Sequence, residues 1–390
     1  MPTLSNKSQI PRPSPTLSIT ARARALAAEG HDIISFAAGE PDFNTPDPIC
    51  GAAKQALDQG MTKYAPTAGL PALRSAISRK LADQNGLTYA ANQIAVTCGA
   101  KQALFNAIWA IASEGDEIIL ISPFWMTYED QVRVAGATPV IVEALPENGF
   151  IPLVEDLETA VTPRTKAILV NSPCNPTGAV FPRNTLVGIA ELARKHDLWI
   201  VTDEIYENLV YEGEQISIGS LSPDALGRTI TIGGFSKSFS MTGWRVGYLA
   251  APPQITEAAV NLQDQVTSGA TTFAQVGALK AIGLDPAATE HMRLEFDKRR
   301  NLAHEELLKI PGIVCAKPAG AFYLLFDARA YLNDAMDDVA LTQKLLDTAG
   351  VALIPGTVFG RPGFLRLSYT ASEEDIVRGI GKLQEAFAQL

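Results

Sequence analysis

The chain has 390 residues, 47% of them hydrophobic, and a formal net charge of -10 at pH 7. That length exceeds one ordinary core, so a large domain with a smaller companion is expected. The acidic balance, without any basic block, argues against non-specific nucleic-acid binding and requires any anion site to be local.

The opening residues, "MPTLSNKSQIPRPSPTLSIT", contain no apolar signal-like core, and no later run approaches the length of a membrane span. A soluble cytoplasmic protein is the expectation. Cys50, Cys98, Cys174 and Cys315 lack CxxC spacing, and His31, His196, His291 and His304 form no HExxH pair, so neither a structural disulfide nor a bound metal is expected.

In chain order, residues 1 to about 16 carry Pro11, Pro13 and Pro15 and read as an extended, non-helical arm. From residue 94 onward short β-branched runs alternate with helical stretches: "IAVT" before "KQALFNAIWAIA", then "EIILIS", "PVIVEA", "VEDLETAV" before "KAILVNSP", "LVGIAELARK" before "LWIVTDEIY", and "RTITIGGF". The alternation predicts an α/β fold, a mostly parallel sheet wrapped by helices. Helical patterns follow over 253–310, then "GAFYLLFDA", a helix, "GVALIPG", "FLRLSY" and a closing helix, which predict a smaller α+β unit. The organisation expected is 1–45 as an arm plus part of the small domain, 46–285 as the large domain, and 286–390 as the small one.

Ligands of parallel α/β sheets sit at the carboxyl ends of the strands. The unusual residues fall there: Gly99, Pro123 to Trp125, Asn171 to Asn175, Asp203 to Tyr206, and Lys237. In "TCGAKQALF" a strand ends and a helix begins, so the backbone N–H groups around Ala100 and Lys101 face an anion. Lys237 stands eight residues before Arg245 in "SKSFSMTGWRVGY", and the repulsion between them is relieved if an anion lies between. A desolvated lysine beside another cation has a lowered pKa, which suits Schiff-base chemistry. Asp203 needs a cationic partner if buried, and a protonated pyridine nitrogen meets that need. Tyr206 and Asn175 are placed to bond the hydroxyl of the same ring, and Trp125 to stack on its face. Each has a plainer reading when taken alone: a solvated lysine, a surface ion pair for Arg245, a turn asparagine, a core tryptophan.

Together, "AAGEPDFNTP", "TKYAPTAGLPALR", "GAKQALF", "SPFW", "NSPCNPTGAV", "DEIY", "SKSFSMTGWRVGY", "GAFYLL" and "FLRLSY", in this order from about Thr16 to the C-terminus, make the chain resemble the class I aminotransferases of the aspartate aminotransferase family, pyridoxal phosphate fold type I. The resemblance implies pyridoxal 5'-phosphate linked to Lys237, its ring nitrogen paired with Asp203, its ring hydroxyl bound by Tyr206 and Asn175, and its phosphate held by Arg245 and the Ala100 to Lys101 turn, with Ser236 a further candidate for the phosphate. It implies a homodimer in which Tyr64 reaches the phosphate of the other subunit. Arg366 is implied to clamp the substrate α-carboxylate, with Gly39 and Trp125 lining the pocket. Two departures set the chain apart from the animal and enteric form: Gly234 stands where a phosphate-binding serine is common, and no arginine lies between Arg245 and Arg293 to serve a distal carboxylate. The chain is similar instead to a bacterial subgroup that uses the positions of Lys101 and Thr16 for that carboxylate. Arg12 matches an arm arginine associated with prephenate use.

The implied reaction is a ping-pong exchange of aspartate with 2-oxoglutarate, with prephenate as a further acceptor. The alternatives are an aminotransferase for aromatic or neutral amino acids, since pocket contacts and not folds choose substrates, and a non-catalytic ligand-sensing domain, which normally carries a DNA-binding segment that the short arm is not expected to supply. A nicotinamide-dependent oxidoreductase would want G-x-G-x-x-G after an early strand, and none is present.

Overall fold

A computed structural model describes residues 3–11, 13 and 15–390. The strands are β1 (Ile34–Ser35), β2 (Ile94–Thr97), β3 (Glu117–Ser122), β4 (Thr138–Glu143), β5 (Thr165–Asn171), β6 (Trp199–Asp203), β7 (Thr229–Gly234), β8 (Gly247–Ala250), β9 (Val314–Cys315), β10 (Tyr323–Asp327), β11 (Val351–Ala352), β12 (Ile354–Pro355) and β13 (Phe364–Ser368).

Seven of them form one sheet in the order β2-β8-β7-β6-β5-β3-β4. Every neighbouring pair is parallel except those of β8, which runs against both β2 and β7. The β-branched, apolar sequences of β3 and β2 are buried along their whole length, as expected of strands covered on both faces. Helices Ala100–Ile111, Thr127–Val134 and Pro253–Val266 contribute to the core on one face, and Val154–Thr159 with Arg183–Lys195 to the core on the other.

A second sheet, β12-β13-β10-β9, is antiparallel, and β1 pairs in parallel with β11. Its core gathers Phe296 and Ala303 of helix Ala287–Leu307, Leu341 of Asp338–Ala349 and Ile380 of Glu373–Phe387. Ile34 and Phe36 enter the same core, and so do Ile205 and Tyr206 from the loop after β6. The two sheets therefore meet at the carboxyl edge of the larger one.

The arm differs from the extended reading. Asn6–Gln9 form a turn of 3-10 helix, and a longer helix starts at Pro15 and runs to Ala28. Neither conflicts with proline chemistry: the 3-10 turn precedes Pro11, and a proline at the first helical position gives up only an N–H that has no partner there anyway. Among the described residues, no helix is long and apolar enough to cross a membrane, and no three His, Cys, Asp or Glu side chains gather in a metal-binding arrangement. The peptide bonds before Pro123, Pro173 and Pro176 are cis.

Candidate active site

Parallel register sets Asn171 on β5 beside Asp203 on β6, and Asp203 beside Ile232 on β7. The chain leaves β7 at the same edge, passes Lys237, and returns through Arg245 into β8. Because β8 is antiparallel, its first residue, Gly247, lies at this edge opposite Thr97, where β2 turns into helix Ala100–Ile111. A lysine, an aspartate, an arginine and a helix N-terminus are gathered by strand order alone.

The helix start is a cradle for an anion. Gly99 caps it at φ 80°, and its first amides have no acceptor within the helix. A Cβ on Gly99 would collide with Nη2 of Arg245, and one on Gly247 with the Ala100 amide, so glycines let the guanidinium and the β8 backbone close on the turn. Arg245 is exposed, sits at φ 54°, and donates from Nη1 to the Thr242 carbonyl at 2.8 Å. Ser236 is buried, and Ser238 Oγ is buried with no hydrogen-bond partner among the described residues. At Gly234 a Cβ would fall 2.9 Å from Ile205 Cδ1 and 3.3 Å from Gly247 Cα, so a serine there would require Ile205 to move.

Half-buried Lys237 donates from Nζ to the Gly39 carbonyl and lies 5.6 Å from the ring centre of Phe322 and 5.9 Å from that of Tyr206. Desolvation is the main reason its pKa is pushed down to about 8; Arg366 and Arg245 push the same way, and Glu40 and Asp203 oppose them. Asp203 is 2% exposed and accepts from the Tyr128 hydroxyl at 2.8 Å and from the Ile205 amide at 3.2 Å. Burial nevertheless raises its pKa to about 6. The site thus holds a lysine easily deprotonated and a carboxylate short of a cation.

Arg366, on β13, is 2% exposed and stacks between the rings of Tyr323 and Phe359, 4.4 and 4.9 Å away. It donates from Nη1 to Asn175 Oδ1 at 3.0 Å and from Nη2 to the Ala37 carbonyl at 2.9 Å, while Nε has no partner among the described residues. Asn175 is fixed in turn by its own amide, which donates to Asn171 Oδ1 at 2.9 Å. Tyr206 shares a 2.8 Å hydrogen bond with Tyr323.

Farther out, Lys101 Nζ sits 4.6 Å above the Trp125 ring, with its pKa lowered by desolvation and by Arg245. Trp125 meets Tyr128 edge-on at 5.6 Å, which links the mouth of the site to Asp203. Thr16 lies half-buried in the first turn of helix Pro15–Ala28; among the described residues it makes no hydrogen bond to Lys101. Tyr64 is 95% exposed. Arg12 lies outside the described residues.

The family model for aminotransferase class I and II matches residues 31–383. The chain belongs to this family. A probable aspartate/prephenate aminotransferase of Aquifex aeolicus is 48% identical over 383 residues, covering 97% of each chain. An aspartate aminotransferase of Geobacillus stearothermophilus is 44% identical over 382 residues, 96% of this chain and 97% of that one. Among solved structures, the aspartate aminotransferase from Thermus thermophilus with maleate superposes with a TM-score of 0.94 at 43% identity, covering 99% of this chain and 100% of that one. The aminotransferase thus has the fold type I architecture. Residues that sequence reasoning did not single out as part of the site are Tyr128, Tyr323, Phe322 and Phe359. They approach from distant segments, and "GAFYLL" was the one available signal, marking Phe322 and Tyr323 without indicating their contacts.

Proposed function

We propose that this aminotransferase transfers the amino group of L-aspartate to 2-oxoglutarate by a ping-pong route, with prephenate as a further acceptor, and that it uses pyridoxal 5'-phosphate. The observation that carries the substrate reading is the pair of cations: Arg366, buried and forked, and Lys101, held over Trp125. A monocarboxylic substrate needs only the first. The names of the relatives favour the same reading.

The residues present fit the cofactor. The helix start, Arg245 and unpartnered Ser238 suit its phosphate, Asp203 its ring nitrogen, Tyr206 and Asn175 its ring hydroxyl, and Lys237 the covalent attachment. Bound there, the cofactor supplies an electron sink for the carbanion chemistry at the substrate Cα. The chain's own residues do the rest. Arg366 orients the α-carboxylate, Lys237 Nζ carries the proton from Cα as general base, and Asp203 holds positive charge in place by its buried carboxylate. The exposure of Tyr64 supports a homodimer in which this phenol reaches into the partner's site. Division at 46–285 and 286–390 is supported by the seven-stranded sheet, whose strands lie within 94–250, and the four-stranded sheet, whose strands lie within 314–368.

The test is steady-state transamination of aspartate, phenylalanine and alanine by wild type and Lys101→Ala. Loss of one charge-assisted hydrogen bond is expected to raise KM for aspartate about 10- to 100-fold, with little change for alanine. Equal losses for all donors, or a wild type that prefers phenylalanine, would replace this reading with that of an aromatic or neutral amino-acid enzyme. Arg366→Lys keeps the charge but loses the fork, so KM for every amino donor is expected to rise about 10- to 100-fold while cofactor absorbance is retained. An effect confined to aspartate would assign Arg366 to the distal carboxylate instead.

A further inference from the structure

We propose that Tyr323 is a positioning residue for the reaction: it donates its hydroxyl proton to Tyr206 and so leaves the Tyr206 proton aimed at the cofactor's ring oxygen. This rests on the site reading above.

The two phenols are buried, 1% and 3% exposed, and their oxygens lie 2.8 Å apart with the rings nearly perpendicular at 82°. Among the described residues neither hydroxyl has another hydrogen bond. One bond between two hydroxyls uses one proton, so the other proton points elsewhere. The stacking of Arg366 on Tyr323 rather than on Tyr206 supports Tyr323 as the donor. The Arg366 guanidinium lies 4.4 Å over the face of Tyr323, drawing charge from that ring and making its hydroxyl the stronger donor. Tyr206 then accepts on one lone pair, and its own proton remains free for the site. Polarisation along the chain strengthens the second donor, as in any run of hydrogen bonds.

The charged groups facing the pair are Asp203 and Lys237 from the large-sheet edge and Arg366 from β13. Burial raises both hydroxyls above the ordinary tyrosine value, and Arg366 opposes the rise at both. Both therefore stay protonated through the working range. Phe322 packs edge-on against Tyr206 at 5.4 Å, so the ring cannot swing to find another partner. The approach to Tyr323 is reserved by Gly39, where a Cβ would fall 2.7 Å from the hydroxyl.

The experiment is a pH titration of the visible absorbance of the cofactor-loaded enzyme without substrate, which reads the midpoint of the proton held at the Lys237 linkage. Tyr206→Phe is the reference: without its donor the ring oxygen is more basic, the shared proton is held more tightly, and the midpoint rises. Tyr323→Phe is expected to raise the midpoint in the same direction by about half to one pH unit, the worth of one neutral hydrogen bond. The double variant is expected to show no rise beyond that of Tyr206→Phe. A midpoint that stays put or falls in Tyr323→Phe, or two additive rises, overturns the proposal alone. An unchanged midpoint in Tyr206→Phe overturns the site reading and the proposal with it. Should Tyr323→Phe not fold, Gly39→Ala displaces the same hydroxyl and is expected to raise the midpoint; absence of that rise overturns the proposal.

Discussion

Lys237→Ala is expected to slow amino-group transfer by at least about 10⁴-fold, because a general base alone contributes up to that much and the covalent attachment is lost as well. Among the described residues no neighbour can take over. Lys101 is engaged over Trp125, and Arg245 and Arg366 carry guanidinium groups in place of a nucleophilic amine. Lys237→Arg is expected to fail equally, since it keeps charge and removes basicity. Single-turnover rates with aspartate measure the loss, and borohydride reduction followed by peptide mapping should find the cofactor on Lys237 in wild type and nowhere in the variant. The pKa of about 8 gives a second handle. The neutral amine is the nucleophile, so capture of pyridoxal phosphate by cofactor-free protein should quicken by about tenfold per pH unit below that value and level off above it. A capture rate flat between pH 6 and 8 would show that the amine is not the group being titrated.

The order of these groups along one sheet edge was legible because it depends on local signals. "EIILIS" and "KAILVN" are apolar runs of strand length, and the polar residues that end them must lie at the carboxyl edge of a parallel sheet. That rule alone places Asp203, Asn175 and Lys237 at the edge. What stayed hidden is what long-range pairing decides. β8 has four residues, begins with glycine, and has no strand signal of its own; only its ladder with β2 and β7 makes it a strand. The two-residue strands β1, β9, β11 and β12 have no periodicity to detect. Tyr128 reaches Asp203 across 75 positions and Tyr323 reaches Tyr206 across 117, distances over which no spacing rule operates. The helix that begins at Pro15 is hidden in the sequence for a local reason: prolines usually break helices, although this one stands where a helix tolerates it.

Asp203→Asn is expected to make the cofactor-free protein relatively more stable at neutral pH while lowering transamination about 10²- to 10⁴-fold, the cost of leaving a buried charge without its partner. Both effects follow from one fact, that the carboxylate is buried with hydroxyl and amide donors but, among the described residues, no cation in contact. Its folded pKa of about 6 lies above the unfolded 3.8. The stability it contributes is therefore fully present below pH 3.8 and lost as pH rises through 6, a difference of about 3 kcal/mol. Asparagine does not ionise, so the stability of Asp203→Asn relative to wild type should climb between pH 4 and 7. Urea denaturation of the two cofactor-free proteins at those pH values measures it. Cofactor should reverse the slope in wild type only, because a ring nitrogen kept protonated beside Asp203 supplies the missing cation. If asparagine instead destabilises the cofactor-free protein equally at both pH values, Asp203 serves mainly to anchor Tyr128 and the start of the "DEIY" turn. A carboxylate kept where it weakens the empty protein makes sense only if the filled one depends on it.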